Sequence, residues 1–274
     1  MHSRICGRLF ELVWPLRCLG NWSLALKQAL LPYAFLLVSC ASAPTPQADL
    51  SGRIDEDMVH AAMSLSQPRG SFVKINSNGG RVDSAAKIVA ILRQKGLGIE
   101  ATGRCLSACA SVIFIGVPHR RIASDTLLAF HGSEFGMSYL FSKSEGKNIP
   151  ALSQSTQQLA KLEHDIYVSA GVDPRLLLSS YLRRGPLCYA TERSGPYSGS
   201  YIIGTTVTAY APSADTLRSF GVKLTGDNAD MSQDDIFSLP ENPDVSVATD
   251  AHSALTPQQV KARMKEMIVR ACQN

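Results

Sequence analysis

The sequence has no apolar run of the roughly 20 residues that cross a bilayer, and no second apolar run follows the N-terminal one, which excludes a polytopic membrane protein. Charged residues are scarce, 18% against 45% hydrophobic, so enough apolar surface exists to offset the entropy of ordering the chain, and intrinsic disorder is excluded. The net charge is only +4, and residues 1–39 supply most of it, with Arg4, Arg8, Arg17 and Lys27 against Glu11. The remainder is almost neutral. No clustered positive face is left for nucleic acid, so no nucleic-acid partner is expected. Internal repeats and low-complexity tracts are also absent. The 274 residues fit one large domain or two small ones.

What is present begins with an address. Residues 29–38 form an apolar run preceded by Lys27 and three arginines and followed by Ser39, Cys40, Ala41, Ser42 and Ala43. This is the layout of a secretory signal peptide, with a long n-region of 28 residues. Leu37-Val38-Ser39-Cys40 resembles a bacterial lipobox, which implies a signal at 1–39, cleavage before Cys40, lipidation of Cys40, and a membrane-anchored periplasmic protein. Ala41-Ser42-Ala43 offers a soluble A-x-A alternative, and an uncleaved anchor is a third. Residues 40–47, with Pro44-Thr45-Pro46-Gln47, read as a tether.

Export changes the meaning of the cysteines. Cys6 and Cys18 leave with the signal, Cys40 is acylated, and Cys105, Cys109, Cys188 and Cys272 remain as disulfide candidates with three pairings open. Buried free thiols are the alternative. Cys105, Cys109, His119 and His131 match no common zinc spacing, so no metal and no cofactor is expected.

The body alternates strands and helices. Ser71–Asn76 is rich in strand formers. In 84–95, Ala85, Ile88, Val89 and Leu92 share a helical face, with Asp83 or Ser84 as cap and Gly96 as terminator. Ile99–Thr102 and Leu127–His131 read as strands and Ser107–Ile115 as a buried helix. Helices are expected over 152–169, from Asp173-Pro174 through Leu182, and over Ser213–Phe220. Residues 185–209 read as an inserted loop or hairpin, and 225–255 as a linker. Thr256-Pro257-Gln258-Gln259 is a capping-box start for an amphipathic helix. His119, followed by Arg120-Arg121, reads as a surface loop residue.

Three short motifs carry the chemistry. Asn76-Ser77-Asn78-Gly79-Gly80 follows one strand, Gly103-Arg104-Cys105-Leu106-Ser107-Ala108-Cys109-Ala110 follows the next, and Phe130-His131 ends a third. A serine hydroxyl is a poor nucleophile at neutral pH unless a base, most often histidine, takes its proton. A helix opening at Ser107 aims free N–H groups at an attacked carbonyl oxygen. The pattern is not the G-x-S-x-G elbow, because Leu106 and Ala108 flank the serine.

This order and spacing, from about Leu50 to Val222, resembles the proteolytic subunit of the Clp protease and its exported relatives in the Clp/crotonase superfamily. The resemblance implies an α/β fold of the Clp/crotonase type, a spiral of ββα repeats, in a single main domain over 48–226. A linker and C-terminal helix over 227–274 complete the chain. It implies Ser107 as nucleophile, His131 as base, and Gly80 and Ala108 N–H as the oxyanion hole, with Gly79 in support. The family's orienting aspartate has no match: counting lands near Ser180 or Thr205, and Asp173 and Asp165 are the nearby acids, Asp173 more in keeping with a cap. The site is then a Ser–His dyad, recruits another acceptor, or is degenerate. The expected function is an exported serine hydrolase, a peptidase acting on a peptide or protein substrate and able to form homo-oligomers. The alternatives are an inactive relative that holds a peptide or partner at the envelope, and an acyl-CoA enzyme, which export disfavours.

Overall fold

The computed structural model describes residues 49–124, 126–143, 152–183, 187–192, 199–204, 209–226, 236–239, 242–250 and 254–272. They belong to the second of two compact units, Pro44–Asn274. The signal segment 1–39, Cys40 and the tether 40–47 lie outside the described residues, as do Thr205 and most of the long loops.

A parallel sheet carries the centre. Strand β1 (Asp49–Ser51) pairs with β2 (Phe72–Ser77), β2 with β3 (Gly98–Leu106), and β3 with both β4 (Arg120–Ile122) and β5 (Leu127–Ala129), every pair parallel. Helices α1 (Glu56–Ser64) and α2 (Val82–Lys95) make the first crossovers. Alternation in β2 buries Val73, Ile75 and Ser77, and the 3.6-residue period of α2 buries Ala85, Ile88, Val89 and Leu92. Gly96 ends α2 in the left-handed conformation at φ 65°, as its position in the sequence predicts. Asp83 and Ser84 do not cap this helix: Arg81 stands at the cap without a side-chain capping bond, and Asp83 lies in the first turn, paired with the Arg81 guanidinium.

Beyond β5 come α3 (Glu134–Phe141), α4 (Gln154–Ser169) and α5 (Arg175–Arg183). The segment 185–209 contains a hairpin, β6 (Leu187–Glu192) with β7 (Gly199–Gly204). Strand β8 (Ala209–Ala211) and α6 (Ala214–Ser219) follow. Residues 225–255, expected as a linker, hold β9 (Ile236–Leu239) and β10 (Asn242–Thr249), and β10 pairs with β8 in parallel. The acidic, Pro-containing composition hides the alternation of Val245, Val247 and Thr249 that makes this a strand. Helix α7 (Pro257–Glu266) starts with the expected capping box, and β11 (Arg270–Ala271) returns to pair with β6. His119 is exposed, as expected, whereas Arg120 beside it is buried in β4, where its Nη1 donates to the Ile115 carbonyl at 2.7 Å.

The cysteines pair as Cys105–Cys109 and Cys188–Cys272. The second bond ties β6 to the C-terminal strand across 84 residues, rather than pinning the hairpin to Cys105 or Cys109. Closing so long a loop restricts the unfolded chain most. The double substitution Cys188→Ser with Cys272→Ser should lower stability by about 2–4 kcal/mol in urea unfolding without reductant, and an unchanged midpoint would refute that role.

Candidate functional site

The carboxyl ends of β2, β3 and β5 lie side by side, the end at which open α/β sheets bind ligands. Ser107 follows β3 directly. It has φ +56°, the one positive value among the described non-glycine residues. The left-handed region costs a serine about 1–3 kcal/mol and persists only where its surroundings impose it. Here three constraints impose it. The Ser107 N–H donates to the Ala129 carbonyl of β5 at 3.2 Å, the Ser107 carbonyl accepts from Ser111 N–H at 2.8 Å, and the Cys105–Cys109 disulfide closes the chain across the turn. The expected helix begins at Ala108 and runs as a π-helix over Cys109–Phe114, wholly buried. Ser107 itself is half-buried at the surface end.

The Asn-Ser-Asn-Gly-Gly loop packs onto this turn. A Cβ added at Gly79 would lie 2.5 Å from Ser107 Cβ, 2.8 Å from the Leu106 carbonyl oxygen and 3.0 Å from Ser107 Oγ, so no side chain fits between loop and serine. Gly79 also has φ +100°, a conformation that only glycine adopts freely. The loop is anchored on its far side, where Ile54 N–H donates to the Gly79 carbonyl and Arg81 N–H to the Ile54 carbonyl, both at 2.9 Å. Neither Gly80 N–H nor Ala108 N–H has a backbone acceptor among the described residues.

His131 lies two residues beyond Ala129 and is exposed. The register Cys105↔Leu128 and Leu106↔Ala129 sets the end of β5, which His131 follows, beside the end of β3, which Ser107 follows. The segment around it is held firmly. Phe130 exchanges two backbone hydrogen bonds with Tyr210 at 2.7 and 2.8 Å. Tyr181 Oη accepts from Ser133 N–H and donates to the Ser133 carbonyl, both at 3.0 Å, and Ser133 caps α3.

The acids considered from sequence are engaged elsewhere. Both carboxylate oxygens of Asp173 receive Arg175 at the start of α5, and Asp165 is an exposed partner of Lys161. Ser180 donates to the Leu177 carbonyl inside α5. Two acids that sequence reasoning missed bond residues that hold the segment after β5. Asp250, its side chain 4% exposed, accepts from Tyr210 Oη at 2.7 Å, Ser213 N–H at 2.9 Å and Arg183 Nη2 at 3.3 Å. It joins β10 to the Phe130–Tyr210 bridge, and the expected linker concealed it. Glu163, from α4, is buried and accepts Phe135 N–H at 2.8 Å at the start of α3. The spacing of α4 could have flagged it, because Glu163 falls on the same face as Ile166 and Tyr167. The disulfide also takes both thiols of the zinc alternative.

Burial pushes the Glu163 carboxyl up to about 8, and nearby Glu134 acts in the same direction. The folded state therefore keeps a proton that the unfolded chain releases above its ordinary carboxylate range. Stability from this group is full at low pH and falls as pH rises from about 4.5 towards 8. Glu163→Gln keeps an oxygen for Phe135 N–H and removes the titration. The wild type should lose stability relative to Glu163→Gln between pH 5 and 8.5, by an amount on the order of a few kcal/mol. Parallel curves in pH-dependent urea unfolding would overturn this.

No family model matches the chain, and no curated protein matches it. Among solved structures, ClpP1 from Listeria monocytogenes and a single-residue variant of it are each similar over 46% of this chain and 71% of theirs, at 13% identity and a TM-score of 0.30.

Proposed function

We propose that this chain is an exported serine hydrolase, a peptidase, using Ser107 and His131. The carrying observation is the left-handed Ser107 turn between β3 and the following helix, with Gly79 in direct contact with it. Such strain at an accessible serine supports a functional reading, since a capping serine does not require it. In this reading the Ser107 hydroxyl attacks a peptide carbonyl while His131 takes its proton. Gly80 and Ala108 N–H hold the oxyanion, worth about 10²–10³ in rate per donor. His131 then protonates the leaving amine, and water activated by the same imidazole releases the acyl group. Asp173 and Asp165 have no part in it, because both are engaged elsewhere. The strand–helix units are turns of a ββα spiral, and the chain can form homo-oligomers.

A fluorophosphonate probe should label wild type and fail, by 100-fold or more, on Ser107→Ala and His131→Ala. Equal labelling of all three sinks the hydrolase, and retention of a peptide partner by Ser107→Ala without any labelling of wild type would favour the binding-protein alternative.

Residues 1–39 act in the same proposal as a lipoprotein signal, with Cys40 the lipidated residue at the periplasmic face of a membrane. Two disulfides in the body suit an oxidising compartment. Cys40→Ala should abolish palmitate incorporation, and continued labelling would defeat the assignment.

A further inference from the structure

We propose that helix α7 and the strand after it form a second membrane contact, a basic face that lies on anionic phospholipid headgroups. The proposal rests on the lipoprotein reading only for what brings the body to a bilayer.

The inner face of α7 is spent on the fold. Pro257, Val260 and Met264 are buried. Arg175 Nη1 donates to the Pro257 carbonyl at 3.1 Å and holds the start of the helix. Beyond its end, Cys272 N–H donates to the Tyr189 carbonyl at 3.0 Å, and the Cys188–Cys272 bond ties the segment to β6. The helix is thus a fixed platform, and its other side is free for a partner.

That side is basic. Lys261, Arg263, Lys265 and Arg270 are all exposed, and Glu266 is the single acid between Pro257 and Cys272. None of the four cations has a carboxylate partner, whereas exposed cations elsewhere do: Arg81 has Asp83, Lys87 has Glu56, Lys161 has Asp165 and Arg218 has Asp215. The nearly neutral total conceals this cluster, because its balancing acids lie elsewhere in the chain. Cations in a last helical turn also suit the helix dipole, but that accounts for Arg263 and Lys265 alone. It leaves Lys261 and Arg270 unexplained, and with them Ile268, a large apolar side chain 48% exposed between Lys265 and Arg270. Cations around an exposed aliphatic tip suit a bilayer surface, where charge meets headgroups and the tip reaches the acyl boundary. Nucleic acid fits less well, since residues 257–272 offer no aromatic side chain for a base to stack on.

Chain length supplies the second argument. Residues 40–49 span at most about 30 Å when fully extended. A lipid on Cys40 therefore keeps β1 within that distance of the headgroups, and one face of the body must meet them. Each cation close to an anionic surface strengthens attachment by about 5-fold, an effect that salt screens.

The test is flotation of full-length Cys40→Ala protein with vesicles of phosphatidylcholine, alone or with about 30% phosphatidylglycerol. The substitution removes lipidation, so this result and palmitate labelling succeed or fail separately. Residues 1–39 are common to all forms and cancel in the comparison. Wild-type α7 should favour the anionic vesicles, and about 0.5 M salt should remove the preference. Changing Lys261, Arg263, Lys265 and Arg270 to Gln should cut the preference by about 10-fold or more. A control with the same charge loss, Arg81, Lys87, Lys161 and Arg218 to Gln, should keep it. Lys261→Gln with Lys265→Gln alone should lose part of it, which guards against a quadruple variant that fails to fold. An equal loss in the control, or a preference intact in the α7 variants, overturns the proposal. So does a wild type indifferent to vesicle charge, even one that retains a single-stranded oligonucleotide.

Discussion

The backbone of Ser107 is the constraint on which the site depends. A serine at φ +56° is held there from three directions: β5 accepts its N–H, the π-helix donates to its carbonyl, and a disulfide spans it. The glycine loop then follows of necessity. Gly79 has no Cβ because the turn leaves no room for one, and its own φ of +100° excludes other residues on conformational grounds as well. Sequence position, backbone strain and close packing thus agree at one point, where three strand ends meet.

From that point the restraints run outward in two directions. On one side Asn76 fixes both the turn after β1 and a bulge in β3, where pairing slips from Ile75↔Ala101 to Ser77↔Cys105. Both neighbours of β2 are thus set by the strand end that carries the glycine loop. On the other, β5 continues into Phe130, whose bridge to Tyr210 reaches the buried Asp250, and into Ser133, which Tyr181 grips through both backbone groups. His131 is exposed between two anchored neighbours. Its backbone is held on both sides while the residue as a whole is exposed.

Much of this was legible along the chain, and the rest was hidden for physical reasons. The Val73–Ile75 alternation, the α2 stripe with Gly96, and the Thr256 capping box are local patterns, and local patterns survive in sequence. The three motifs at 76–80, 103–110 and 130–131 showed where the chemistry should gather. The bulge opposite Asn76 was not legible, because it is a property of two strands and not of one. Neither was Arg120, a charge that sequence places in water, although a single carbonyl bond and apolar surroundings hold it in β4. The strand β10 was masked by its acidic flanks, and Asp250 with it. Asp173 illustrates the converse: its cap role was readable from Pro174, and the structure gives both its oxygens to Arg175.

The Cys105–Cys109 bond connects the geometry of the site to the proposed compartment. A left-handed serine costs about 1–3 kcal/mol. A cross-link around a loop this short restricts the unfolded chain by about 2 kcal/mol, a comparable amount. Under oxidising conditions the cross-link offsets part of the cost of the strained turn. Under reducing conditions the compensation is absent, and the turn would rest on Gly79 packing and two backbone hydrogen bonds alone. A chain that places its candidate nucleophile inside such a loop is suited to an environment in which that loop stays closed, in keeping with the export proposed above.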